Sequence, residues 1–385
     1  MTRRRGATLG AALVGGSADV LDFLLPLWVG TELGATPTQI GLLLGLELAV
    51  SFLVRPLAGR LADTRERTRV AAAGAALCAL ACLGYAAAPG IGLALAAAVA
   101  GGAGGSLLWV AVRAITAERL ADDDAAFASL YSAVAFASWF FWVPALVLLP
   151  ALGYRGVFVA LGLAAAAAAG VLLLADRRPA VPEGPGPSAR DATRRLAPLL
   201  GVVGLTAAAE AGAGLLLLLH LQRAFELEVH EIALVFLPGG IAMTVLPGVL
   251  HRLTRRHGRR AVYAVASLAS AACAGGLALA PGPLVIAVLW ILTASAWAAL
   301  TPVNEAAVTE VSGARTGRAM GLLGNAGLAG AAVGSVLTGW LYDSTSWQVV
   351  CGVLAVVIAL GAVIGPAALT RVGVLDRPRT EPADL

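Results

Sequence analysis

The chain has 385 residues, of which 59% are hydrophobic and only 13% charged, with a mean hydropathy of +0.85. Soluble domains carry about 45–50% apolar and about 25% charged residues, so an ordinary water-soluble enzyme is excluded. All 27 basic residues are arginine and lie between apolar stretches, so the net charge of +4 reads as membrane topology and argues against nucleic-acid binding.

A membrane-spanning helix needs about 20 apolar residues. Such segments fall at 7–30, 37–58, 70–88, 92–116, 126–150 and 154–175. A second set follows at 197–221, 230–253, 260–280, 283–308, 317–341 and 347–369. They are apolar all round, without the period of two that a transmembrane barrel requires. Arg3, Arg4 and Arg5 precede the first segment as in a signal peptide, but that segment runs on to Gly30 and carries Asp19 and Asp22, so it reads as a retained span. Between the sets, 176–196 contains Asp176, Pro179, Pro182, Gly184, Pro185, Gly186 and Pro187 and reads as an aqueous linker. The expected organisation is a six-helix bundle over 1–175, the linker 176–196, a second bundle over 197–370 and a tail over 371–385. The fold class is therefore all-α, with twelve membrane helices.

Arginine placement sets the orientation, because positive residues stay on the cytoplasmic side. Arg60, Arg65, Arg67, Arg69, Arg119, Arg252, Arg255, Arg256, Arg259 and Arg260 fall in connections on one side, whereas the opposite loops hold only Arg155 and Arg223. Both termini are expected in the cytoplasm, at the inner (plasma) membrane. The halves also repeat. Pro56, Arg65 and Arg69 match Pro247, Arg256 and Arg260 at an offset of 191, as Asp19 matches Glu210, and Thr116 to Glu118 resembles Val308 to Glu310 at 192. Two pseudo-symmetric bundles with a binding site between them at mid-depth follow from such a repeat.

An ionisable group at mid-bilayer costs about 2.5–3.5 kcal/mol and should face a cavity or a partner. Asp19, Asp22, Glu47 and Glu210 lie near the centres of spans 1, 2 and 7, with Arg55, Arg113 and Glu305 nearer the ends of spans 2, 4 and 10. Spans 3, 6, 9 and 12 have no ionisable residue in their apolar interiors and are expected to face lipid. Asp19 and Asp22 are three apart and share a helix face. Two carboxylates that close in low dielectric cannot easily both ionise, which suits the pair, with Glu210, to proton coupling. Capping of an unwound turn beside Gly15 and Gly16, or neutralisation by an arginine, is the structural alternative. Glu47, Arg113, Asn304, Glu305 and Asn325 are further candidates to line a substrate cavity. Trp139 and Trp142 in span 5, and Trp290 and Trp297 in span 10, could stack on a flat or cationic substrate or simply pack. His220 reads as an interfacial residue. Gly321, Gly324, Gly327, Gly330 and Gly334 give span 11 a small-residue face for close helix approach. The four cysteines, Cys78, Cys82, Cys273 and Cys351, read as small buried residues, and neither a metal nor another cofactor is expected.

The stretch Arg55-Pro56-Leu57-Ala58-Gly59-Arg60-Leu61-Ala62-Asp63-Thr64-Arg65-Glu66-Arg67-Thr68-Arg69 resembles the signature of the major facilitator superfamily between its helices 2 and 3. Gly59, Leu61, Ala62 and Asp63 match in place, while Thr64 and Glu66 depart from it. A second copy ends in Arg256-His257-Gly258-Arg259-Arg260, matching the signature's final residues but lacking its aspartate. The resemblance implies that Asp63, with Arg65, Arg67 and Arg69, belongs to a cytoplasmic gate. There Asp63 would meet the start of span 11 near Thr316 and Gly317, with Arg113 or Arg119 as charge partners. Asp22-Phe23-Leu24-Leu25-Pro26 further resembles the first helix of twelve-helix drug/proton antiporters, and Pro144 survives from their helix 5 signature.

The expectation is a monomeric secondary transporter, not an enzyme, exporting a small, partly hydrophobic organic molecule in exchange for protons across the lipid bilayer. An importer or facilitator of a polar metabolite is the alternative within the fold. A non-coupled receptor or lipid-flipping protein is the alternative outside it.

Overall fold

The computed structural model describes residues 2–118, 126–176, 189–312 and 316–377. The helices are α1 (Arg3–Thr31), α2 (Pro37–Thr64), α3 (Arg67–Ala87), α4 (Ile91–Ala117), α5 (Ala126–Leu173) and α6 (Ala189–Arg223). They continue as α7 (Val229–Val245), α8 (Pro247–His257), α9 (Arg259–Leu277), α10 (Pro283–Ser312), α11 (Thr316–Ser344) and α12 (Trp347–Val372). Ten are long and apolar enough to cross a membrane, and α7 is a shorter apolar helix.

Helix count and pass count differ for physical reasons. As one rod, the 48 residues of α5 would reach about 72 Å at 1.5 Å per residue, against an apolar core of about 30 Å. Gly153 (φ 63, ψ 174) breaks it, using a backbone conformation that only glycine adopts freely, and two passes result. The eighth predicted segment is divided instead, between α7 and α8, at Leu246-Pro247, where proline opens the new helix. The twelve passes are present. Helix α6 begins at Ala189, inside the stretch read as linker.

The chain forms two compact units, Met1–Gly186 and Pro187–Leu385. In the first, α1 packs on α5, α2 on α4, and α3 on both α4 and α5. In the second, α6 packs on α11, α7 on α10, and α9 on both α10 and α12. The pairings repeat once α5 is counted as two passes. Even the helix starts repeat at 192: Thr36 and Gln39 exchange hydrogen bonds as a capping box on α2, as Glu228 and Glu231 do on α7. Each box satisfies amides that the first helical turn leaves unpaired.

Water gives no hydrophobic drive between helices in lipid, so close packing has to hold them. In the first unit small residues form the seam, among them Ala11 of α1, Ala75 of α3, Ala111 of α4 and Ala168 of α5. In the second, Gly330 and Gly334 of α11 lie so near α6 that an added Cβ would sit 2.0 Å from the Gly204 carbonyl oxygen and 2.1 Å from that of Ala208. Gly321 and Gly327 have nothing within 4 Å, so only part of the glycine face serves this contact. Helix α12 exposes Val349, Val353, Val356, Leu360 and Val363, the apolar surface expected of a lipid-facing pass.

Candidate functional site

Helix α1 is buried on most sides, by Val20, Leu21, Phe23, Leu24 and Leu25 near its middle. The exposed positions in that middle stretch are Asp19 and Asp22. Their three-residue spacing puts both on one stripe, and Asp22 stands within repelling distance of Asp19 and of Glu47 on α2. The Ser138 hydroxyl of α5 donates to Asp19. Tyr85 of α3 donates to the Glu47 Oε2 across 3.3 Å and is itself held between Trp28 and Phe158, each ring 6.2 Å away. Trp142 lies against Phe23, next to Asp22, at 4.7 Å. Three carboxylates on two helices are thus drawn together with two hydroxyl donors. Among the described residues none of the three has an ion pair.

In the second unit, α6 and α10 form a half-open cavity of about 180 Å³. Val203, Thr206, Ala207 and Glu210 follow one another at i, i+3, i+4 and i+7 on α6, and Trp297, Leu300, Thr301, Asn304 and Glu305 do so on α10, with Leu323 of α11 closing one side. That periodicity selects a single face of each helix. Trp297 and Asn304 are almost fully buried, Glu210 is half-buried, and Glu305 and Thr301 are exposed at the rim. Glu210, the repeat-related partner of Asp19, therefore shares a pocket with two other predicted residues, Asn304 and Glu305. Asn325 is two residues from Leu323, so it projects from a different face of α11.

The signature stretch is largely helical: α2 runs through Thr64, placing Gly59 and Asp63 in its final turns. Asp63, Arg65 and Arg69 are exposed, and Asp63 has no ion pair among the described residues. Arg67 is different. Buried to 7% exposure, it donates to the Ala62 and Ala114 carbonyls and, across 2.6 Å, to Glu118 at the end of α4. Arg259 makes the same 2.6 Å bond to Glu310, so the bonded pair recurs at an offset of 192.

A repeated bundle and a repeated ion pair at one end agree with what sequence comparison finds. The profile of the Major Facilitator Superfamily matches residues 7–203 and again 199–384. The chain belongs to the Major Facilitator Superfamily. This superfamily member finds no match among curated protein sequences. Solved structures share its fold. A point variant of the nucleoside transporter NupG is 15% identical, covering 96% of this chain and 100% of that one, with a TM-score of 0.78. A variant of the peptide transporter POT in complex with sulfate is 14% identical, covering 96% and 94%, with a TM-score of 0.77. A bacterial homologue of the human lysosomal transporter Spinster, inward-facing and unoccupied, is 16% identical, covering 96% and 94%, with a TM-score of 0.70. The protein is accordingly a multi-pass membrane transporter, not an enzyme.

Other expected residues of this superfamily member lie apart from both clusters. Trp139 is 42% exposed. Arg113 of α4 lies over Trp109, 5.8 Å from the ring centroid, and beside Arg55. Arg119, the other partner expected of Asp63, is outside the described residues. His220 stacks on Trp347 at 3.5 Å and shares a hydrogen bond with Tyr342, a packing arrangement. All four cysteines are free. Sequence reasoning missed Tyr85, Ser138, Thr206 and Thr301, which have no distinguishing pattern inside apolar helices. It also missed the role of Glu118, although the equal spacing of Arg67–Glu118 and Arg259–Glu310 signals it.

Proposed function

We propose that this protein is a secondary active exporter that exchanges protons for a small, partly hydrophobic organic molecule, with both termini in the cytoplasm at the inner (plasma) membrane. One observation carries the reading: Asp19, Asp22, Glu47 and Glu210 sit in membrane helices with no ion-pair partner among the described residues. At about 2.5–3.5 kcal/mol each, four lipid-facing charges would cost about 10–14 kcal/mol, comparable to the whole stability of a domain. They are tolerable if they meet water or carry protons, and both conditions suit a proton-driven carrier. The exposed stripe of α1 supports this, since it is acidic where that of α12 is apolar. Substrate binding and proton binding then compete at the same carboxylates while the two halves alternate in access. Asp63, with Gly59, Arg65, Arg67 and Arg69, keeps the gating role that the signature implies.

Proteoliposomes with an imposed pH gradient test the reading. Asp22→Asn and Glu210→Gln should each abolish gradient-driven flux while leaving the protein folded, and undiminished flux in both would overturn the assignment. Import of a polar metabolite is the second reading, favoured by Thr206, Glu210, Thr301, Asn304 and Glu305 in the lining of the α6–α10 pocket. Collapse of the proton gradient in cells separates the two, because accumulation rises for an exporter and falls for a coupled importer.

A further inference from the structure

The α6–α10 pocket has an anionic lining: Glu210 and Glu305 are its charged residues, and no guanidinium, ammonium or imidazole is among those that line it. Its hydroxyls are committed. Thr206 donates to the Val202 carbonyl across 2.8 Å and Thr301 to that of Trp297 across 3.4 Å, so each turns a lone pair rather than a proton to the cavity. Tyr263 completes a chain behind the wall. The Tyr263 hydroxyl shares a hydrogen bond with the Thr206 Oγ1 at 3.3 Å, and Asn304 lies beside Tyr263. Asn304 itself is only 7% exposed. Beside it lie the Trp297 indole and the Leu300 side chain. Aromatic faces attract cations, and a dry cavity of about 150 Å³ already accepts benzene.

We propose that this pocket binds a protonated primary or secondary amine carried on a small apolar group. The ammonium donates to Glu210 and to the threonine oxygens, the apolar part rests on Trp297 and Leu300, and Glu305 at the rim draws the cation in. The proposal narrows the exporter reading to an amine substrate and rests on that reading only in calling the ligand cargo.

Purified full-length protein in detergent, without any gradient, tests the pocket by itself. The probes are 2-phenylethylamine, 2-phenylethanol and phenylacetate, equal in bulk and different in charge, with affinity read by tryptophan fluorescence and calorimetry. The amine should bind at least about tenfold more tightly than the alcohol, the scale of charge-assisted hydrogen bonding, and the anion should bind least. Glu210→Gln should remove that advantage, weakening the amine far more than the alcohol. Equal binding of amine and alcohol, a preference for the anion, or an amine preference that survives Glu210→Gln would overturn the proposal. The probe ranking on the unaltered protein decides even if a variant does not fold. Amine binding without pH-driven flux in vesicles would sink the exchange reading alone. Flux without amine selectivity would sink this one alone.

Discussion

Arg67 reaches Glu118 across 2.6 Å and so ties the first turn of α3 to the end of α4. Arg3, at the start of α1, holds the other Glu118 oxygen at 2.9 Å, and one carboxylate thereby gathers three helices. Removing one member of a buried ion pair costs more than the pair contributes, because the survivor is left unmet. Glu118 is about a third exposed, which softens the penalty. Arg67→Ala should destabilise the protein by about 3 kcal/mol in detergent unfolding. Glu118→Ala added to it should cost far less than alone, and additive losses in that double-mutant cycle would show the two residues to be independent.

The C-terminal segment caps a helix that cannot cap itself. Gly258 precedes α9 with φ 89 and has no side chain, whereas Glu66 at the equivalent point of the first half bonds the Thr68 and Arg69 amides. The Asp376 backbone carbonyl accepts from the Arg259 amide at 2.7 Å, and its carboxylate accepts from the Arg260 amide at 2.9 Å. Arg259 also donates to the Leu375 carbonyl. Asp376→Ala should cost about 1 kcal/mol, the usual worth of a cap, and should speed hydrogen exchange at the Arg260 amide without touching α3. Gly258→Ala should cost more, since its Cβ would meet Asp376 at 2.4 Å in a strained conformation. Unchanged exchange in Asp376→Ala would refute the cap.

Acid should loosen the first half through Glu66. Burial alone would raise its carboxyl, but the Thr68 hydroxyl, the Thr68 and Arg69 amides and Arg3 together hold it below the ordinary value of 4.5. A depressed folded-state value means stability present above that ordinary value and lost as pH falls through the lower, folded one. The loss should therefore show below pH 4.5 in unfolding curves, and Glu66→Gln should flatten that part of the slope. An unaltered acid slope in the variant would contradict this account.

The α6–α11 contact has no room for side chains at its glycines. Gly334→Leu should push α11 away from the Ala208 backbone and cost several kcal/mol, beyond the about 1–3 typical of overpacking, because backbone cannot yield as a rotamer can. Gly352→Ala on exposed α12, with nothing within 4 Å, should be neutral or slightly stabilising. Equal melting temperatures for the two variants would argue against the close approach.

Pass number and the two halves were legible in the chain, because lipid tolerates neither unpaired backbone nor stray charge. Asp19 and Glu210 stand out against apolar neighbours, and the 192-residue repeat of Arg67 and Glu118 in Arg259 and Glu310 is visible without coordinates. Tertiary structure alone assembled the pocket. Thr206 and Trp297 are ordinary residues of apolar helices until α6 and α10 pack face to face, bringing Glu210 and Asn304 to one cavity across 93 intervening positions. It also decided that Asp376 should cap α9, since a cap is a matter of where a free oxygen lies in space, and neither hydropathy nor spacing records that.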